Sequence, residues 1–152
     1  MSRAGRKLAA LADVEPVLRS CRVVAVLGCH ADPSRPAHYV PAYLHRLGKT
    51  ILPVNPRLLG CQLFGLDVSE RLDQLDPLLG AVDVVDVFRR SADVAGHLDE
   101  ILAMRPLPAV VWLQSGIAND GVCAQLRAAG IDTVEDRCML ADGNALQLSV
   151  PG

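Results

Sequence analysis

Apolar residues fall along this chain in two alternating rhythms. Some short runs are apolar at nearly every position, as in Val23-Val24-Ala25-Val26-Leu27-Gly28 and Ala109-Val110-Val111-Trp112-Leu113; further strands are read at Thr50 to Val54, at Val82 to Phe88, which alternates in its middle but ends apolar, and near Ile131 to Val134. Unbroken runs of this length mark parallel strands covered on both faces, whereas a half-exposed strand would alternate throughout. Between the runs, apolar residues recur with helical spacing. Val40, Tyr43, Leu44 and Leu47 stand at i, i+3, i+4 and i+7 within 38–47, and Gly48 follows as a stop. Ser91 offers a cap for a helix with Val94, Leu98, Ile101 and Leu102 on one stripe. Asn119 does the same for a helix with Val122, Leu126 and Ala129 inward and Gly130 at its end. A shorter helix over 13–20, with Asp13 as N-cap and Pro16 in the first turn, precedes the first strand.

Strand and helix in regular alternation predict an α/β fold: a doubly wound, mostly parallel sheet of five or six strands, with helices on both faces and right-handed crossovers. Pro53 places the second strand at an edge or at a distorted strand end. The stretch 58–68, with Gly60 and Gly65, reads as a connecting excursion, and Ser69 as the cap of a short helix carrying Leu72 and Leu75. Residues 1–12 read as a frayed N-terminus and 141–152 as a less defined tail, with 1–152 a single domain. Sheets of this kind bind ligands outside the carboxyl ends of their strands, so loops 28–36, 54–57, 87–90 and 114–117 are expected to converge.

Composition narrows the class. With 51% hydrophobic and 21% charged residues the chain can bury a core, yet no apolar stretch approaches the ~20 residues of a membrane span. The basic start, Met1 to Lys7, is followed by Asp13 and Glu15 before any signal-peptide core develops, and a cytoplasmic location is expected. A formal charge of −2 and 3% aromatic residues leave little to attract or stack nucleic acid. Neither nucleic acid nor membrane is an expected partner. The five cysteines are widely spaced with no C-x-x-C pair, which predicts reduced thiols. Cys29 beside His30 lacks the further ligands a metal site needs. Asp83 and Asp86, three apart on one strand, point to opposite faces, and the four histidines follow no catalytic motif. No catalytic residue is assigned.

What remains is phosphate chemistry. Gly28 ends the first strand and the loop Cys29 to Pro36 opens a helix, whose N-terminus offers N–H groups and a positive dipole end to a phosphate. There is no G-x-G-x-x-G, because positions 30 and 33 are His and Pro. After the second strand comes Asn55-Pro56-Arg57, where an NAD-binding fold would carry a ribose-binding carboxylate. A guanidinium there favours a ligand with an extra phosphate. Arg35 is a second candidate. Arginine makes up 13 of the 15 basic residues, so position rather than residue type carries the argument. Phe88 could wall a purine or belong to the core. Cys138 beside Arg137 reads either as an activated thiol or as a buried small hydrophobe.

These residues resemble those of the small stand-alone CoA-binding proteins, whose domain is similar to the CoA-binding domain of the succinyl-CoA synthetase α subunit. The resemblance runs through Val26 to His30, Pro33 to Val40, Leu52 to Arg57, Val82 to Arg89, Trp112 to Ile117 and Asp136 to Cys138, nearly the whole domain. It implies a Rossmann-like fold in which Gly28, Cys29, His30 and Arg35 hold the pyrophosphate of coenzyme A. Arg57 would face the ADP phosphates or the ribose 3′-phosphate. Adenine would lie between Val54 and Pro56 on one side and Val87 and Phe88 on the other, with Arg89 in the same matching stretch. Gln114, Ser115 and Gly116 would line the path of the pantetheine arm. Many relatives carry Ala-Ser where this chain has Cys29-His30, so a side-chain hydroxyl is missing at that point. The resemblance carries over binding and no ligase reaction.

The expected function is therefore a non-catalytic module binding CoA or an acyl-CoA, as carrier, sensor or detached subunit, with a protein partner open. Two alternatives stand beside it. One is an NADP-dependent oxidoreductase-like domain, which Arg57 would also suit; the other is a partner-binding subunit that has lost its ligand.

Overall fold

Five parallel strands form one sheet in the computed structural model of the chain, which describes residues 3–150. In chain order the elements are α1 (Leu11–Ser20), β1 (Val23–Leu27), α2 (Pro36–Arg46), β2 (Thr50–Val54), β3 (Gln62–Leu63), β4 (Leu66–Asp67), β5 (Val84–Val87), α3 (Leu98–Leu102), β6 (Val110–Leu113), α4 (Asp120–Ala128), β7 (Asp132–Val134) and α5 (Met139–Ala145). The sheet order is β2-β1-β5-β6-β7, with β3 and β4 a separate antiparallel hairpin. Winding runs outward from β1 to β2, then returns across β1 to β5 and continues to β7. The reversal lies between β1 and β5, where a doubly wound sheet opens its ligand crevice.

The unbroken apolar runs are explained by burial on both sides. Ala25, Leu27, Val85, Val87, Val111 and Leu113 pack with Ile101, Val122 and Leu126 of α3 and α4 on one face. Val24, Val26, Val84, Val110 and Trp112 pack with Val14, Leu18, Val40, Leu44 and Met139 of α1, α2 and α5 on the other. The expected doubly wound architecture, five strands with helices on both faces, is the observed one. β2 is an edge strand. The Pro53 carbonyl turns outward to accept from Ser69 N–H at 2.9 Å, so the missing proline N–H costs the pairing with β1 nothing.

Several local expectations give way. Ser69 caps no helix: it pairs alongside the end of β2, its carbonyl accepting from Asn55 N–H, and only a 3₁₀ turn, Leu72–Gln74, follows. The excursion contains the β3–β4 hairpin, whose turn residues Phe64 and Gly65 both take positive φ, +55° and +81°. Asp13 is the third residue of α1 rather than its cap, and its carboxylate accepts from Ala10 N–H at 3.0 Å and Ala9 N–H at 3.3 Å. The single helix expected after Ser91 is a 3₁₀ stretch, Ser91–His97, that widens into α3; Ser91 Oγ accepts from Ala118 N–H. Asn119 does cap α4, accepting from Val122 N–H at 3.0 Å.

Residues 5–8 and 141–145 are more ordered than composition implies. Residues 5–8 run beside β7, with Leu8 N–H on Thr133 O (2.8 Å) and Thr133 N–H on Arg6 O (2.9 Å), covering the groups an edge strand leaves unpaired. Residues 141–145 belong to α5, held by the two-pronged Arg137–Asp142 pair at 2.8 and 2.9 Å. The expectations for residues 1, 2, 151 and 152 lie outside the described residues.

Asp86 runs against the apolar pattern of its strand. Asp86 of β5 is wholly buried; Gln114 donates to its Oδ1, and Oδ2 has no hydrogen-bond partner. Burial pushes its carboxyl up to about 8, against the smaller opposing effect of the Gln114 bond. The folded protein therefore keeps a proton that the unfolded chain gives up near pH 4, and stability drains away as pH rises from about 4 to 8. Asp86→Asn imitates the protonated form. Thermal unfolding is expected to show the variant gaining on the parent from pH 5 to pH 8; a constant gap would leave Asp86 ionised in the fold.

Candidate functional site

The carboxyl ends of β1, β2, β5 and β6 surround a cavity of about 820 Å³ at the winding reversal. Its floor depends on Gly28, which has φ +83° and sits so close to the next strand that a Cβ would lie 2.6 Å from Phe88 O and 3.1 Å from Arg89 Cδ. Only glycine meets both conditions.

The loop after β1 is held by short local bonds. Asp32 Oδ1 accepts from Ser34 N–H at 2.9 Å and from its hydroxyl at 2.8 Å, while His30 Nδ1 accepts from Asp32 N–H at 2.9 Å. Arg35 then stands in extended conformation before Pro36, the first residue of α2, as proline's fixed φ allows. The amides of His38 and Tyr39 turn back to Arg35 O, each at 2.9 Å. The helix start thus brings its dipole to the cavity with fewer free N–H groups than its sequence suggests.

Asn55 ties this loop to the next. Its Nδ2 donates to Cys29 O at 2.9 Å, and its Oδ1 accepts from Arg57 N–H at 2.9 Å, which starts the 3₁₀ turn Pro56–Leu58. One amide fixes the separation of two cavity-facing loops. On the far side Gly116, at φ +81°, donates its N–H to Asp136 Oδ1 at 2.6 Å, joining the loop after β6 to the one after β7.

Ten of the residues singled out from sequence line the cavity: Gly28, His30, Arg35, Asn55 and Arg57 from one side, Phe88, Arg89, Gln114, Ser115 and Gly116 from the other. Four do not. The side chains of Cys29, Val54 and Val87 are in the core, and Pro56 is exposed outside the lining. Strand alternation decides this, since a residue ending a strand lies in the crevice only if its side chain clears both packed faces. Burial pushes the Cys29 thiol up to about 12, leaving an inert group. Cys138 lines the cavity and is half-buried, contrary to its reading as a buried hydrophobe. Arg137 bonds Asp142 and Ala9 O instead of turning to that thiol. Arg90, Ser91 and Ile117 also line the cavity; their position next to Arg89 and Gly116 was the available signal.

The charge of the wall is one-sided. Arg35, Arg57, Arg89 and Arg90 reach it, and no aspartate or glutamate does. In a chain with formal charge −2, this concentrates positive charge of the kind that attracts anions. Among the described residues no cluster of three or more His, Cys, Asp or Glu could hold a metal ion.

The sequence pattern of the family described as "CoA binding domain" matches residues 22–144, which include all four loops of this crevice. The chain belongs to this family. The uncharacterized protein YneT of Bacillus subtilis (strain 168) is 30% identical over 128 residues, covering 84% of this chain and 90% of that protein. A solved structure from Thermus thermophilus superimposes with a TM-score of 0.83 at 44% identity, over 90% of this chain and 98% of the other. A hypothetical protein from Pyrococcus horikoshii OT3 gives a TM-score of 0.80 at 23% identity, over 91% and 92% of the chains, and shares the fold.

The residues present suit the ligand for which the CoA-binding family is described. CoA carries a diphosphate and a 3′-phosphate, which the guanidinium groups of Arg35, Arg57 and Arg89 can receive, while Arg90 is paired with Asp93. The cavity is also within the size range of small-molecule sites, roughly 300–1,000 Å³. In this CoA-binding fold Gly28 should be the least replaceable cavity residue. Gly28→Ala is expected to lower unfolding stability by about 1–3 kcal/mol in a urea titration, through positive φ and the clash with Phe88 O. A variant of parental stability would mean that the two strand ends can part.

Proposed function

We propose that this protein binds coenzyme A, or an acyl-CoA, in the cavity at the winding reversal, as a non-catalytic carrier, sensor or detached subunit. The observation that carries the reading is the wall with four arginines and no carboxylate, set in a domain of the CoA-binding family. Arg35 and Arg57, both exposed and with no side-chain bond among the described residues, are available to phosphate oxygens. The dipole end of α2 adds to the attraction for the pyrophosphate. Phe88 gives an apolar surface for the adenine beside Arg89. Gln114, Ser115 and Gly116 supply polar groups for the amide-bearing arm. We place the protein in the cytoplasm, in keeping with five cysteines that are all unpaired thiols. No helix among the described residues is long and apolar enough to cross a membrane.

Calorimetric titration with CoA, dephospho-CoA and NADP tests this reading. CoA is expected to bind, and to bind more tightly than dephospho-CoA. Arg57→Ala is expected to weaken CoA about 10-fold or more and to leave dephospho-CoA unchanged, as loss of a charge-assisted bond to the 3′-phosphate requires. Tight NADP binding with no response to CoA would turn the assignment to an oxidoreductase-like domain. No response to any of the three would favour a subunit acting only through a protein partner.

A further inference from the structure

We infer that His97 and Glu100 are a positioning pair that sets the Arg89 guanidinium for a phosphate group in the cavity. The inference deepens the proposed anion site and rests on it. Arg89 follows β5 directly, and its stem crosses Gly28, with Cδ 3.1 Å from where a Cβ there would be. Its Nε–H donates to His97 Nε2 at 3.3 Å. That nitrogen can accept only if the ring proton is on Nδ1, and Nδ1 faces Glu100 Oε1. The carboxylate thereby selects the tautomer that Arg89 needs.

Glu100 is itself fixed. It is 5% exposed, and its Oε2 accepts from Leu72 N–H at 2.9 Å. Burial raises its carboxyl, but the bonds from His97 and the Leu72 amide are the largest of the effects that outweigh this and hold it below the usual range. A buried backbone amide, a carboxylate, an imidazole and a guanidinium thus form one chain ending at the cavity wall. With its Nε side taken by His97, Arg89 has its Nη1–Nη2 edge left, and those atoms have no partner among the described residues. Two parallel N–H donors on one edge match two oxygens of a phosphate.

The imidazole explains why the relay is not shorter. A carboxylate touching Arg89 would orient it but cancel much of its charge; a neutral ring orients it and leaves the charge for the ligand. Arg90 shows the contrast, since it pairs with Asp93 at 3.0 Å. Arg35 and Arg57 have freedom to lose on binding, whereas Arg89 is ordered beforehand.

The test is a double-mutant cycle on the full chain, with Arg89→Ala, His97→Ala and both together, titrated with ADP and, as a phosphate-free control, adenosine. His97→Ala is expected to weaken ADP about 5- to 10-fold in the parent and to have no effect once Arg89 is alanine, with adenosine unaffected. His97→Gln, which restores an acceptor, is expected to recover part of the loss. An unchanged ADP affinity, or an equal loss with and without Arg89, would overturn the inference. If His97→Ala does not fold, His97→Phe removes the acceptor while keeping the ring, and the same two results decide. A parent that binds ADP or inorganic pyrophosphate but not CoA would sink the CoA reading and leave the cycle to judge the relay. A parent that binds no phosphate compound would overturn both.

Discussion

The close approach of two strand ends at Gly28 is the contact on which the rest of this molecule depends. β1 and β5 are neighbours in the sheet although β2 comes between them in sequence, and their following loops leave in different directions. The crevice between those loops has a floor only because Gly28 lets the Phe88 carbonyl come where any other residue would hold a carbon. Arg89 can lie across that floor for the same reason. Remove the approach, and the first and third loops no longer face one volume.

Around this floor the acidic side chains are engaged elsewhere. Asp32 closes its own turn on Ser34, Asp136 accepts from Gly116 N–H, Glu135 from Asn119 N–H, and Asp142 from Arg137. Each of these carboxylates shapes a loop without facing the cavity, so that among the described residues Arg90, paired with Asp93, is the one arginine of the wall that meets a carboxylate. A chain with slight net negative charge can in this way hold a strongly positive site. The same economy appears with Asn55, whose single amide sets two loops at once.

The fold was legible because its strands are buried on both faces. That condition forces unbroken apolar runs at β1 and β6 and leaves helical stripes between them, so Val23–Leu27 and Val110–Leu113 announce themselves. Segments stabilised by long-range hydrogen bonds were not legible. Residues 5–8 are polar or small at most positions, and what orders them is the open edge of β7, 126 residues away in the case of Arg6 and Asp132. Ser69 looked like a cap because serine favours caps, but the exposed edge of β2 offered its backbone a better partner.

For the site, the sequence by itself determined which loops would meet and that arginines would stand in them, since strand order along the chain fixes which ends lie at one edge of a parallel sheet. It could not determine which side chains face the ligand. Cys29, Val54 and Val87 lie at the right strand ends yet turn into the core, because the pleat sends neighbouring residues to opposite faces and packing claims the apolar ones. Nor could it join Arg89 to His97 and Glu100, or give Asp86 its buried partner Gln114. His97 and Glu100 are only three residues apart, but the return of their helical stretch onto Arg89 and the meeting of Asp86 with Gln114 across neighbouring strands are set by packing, which local pattern does not encode and only the tertiary structure decides.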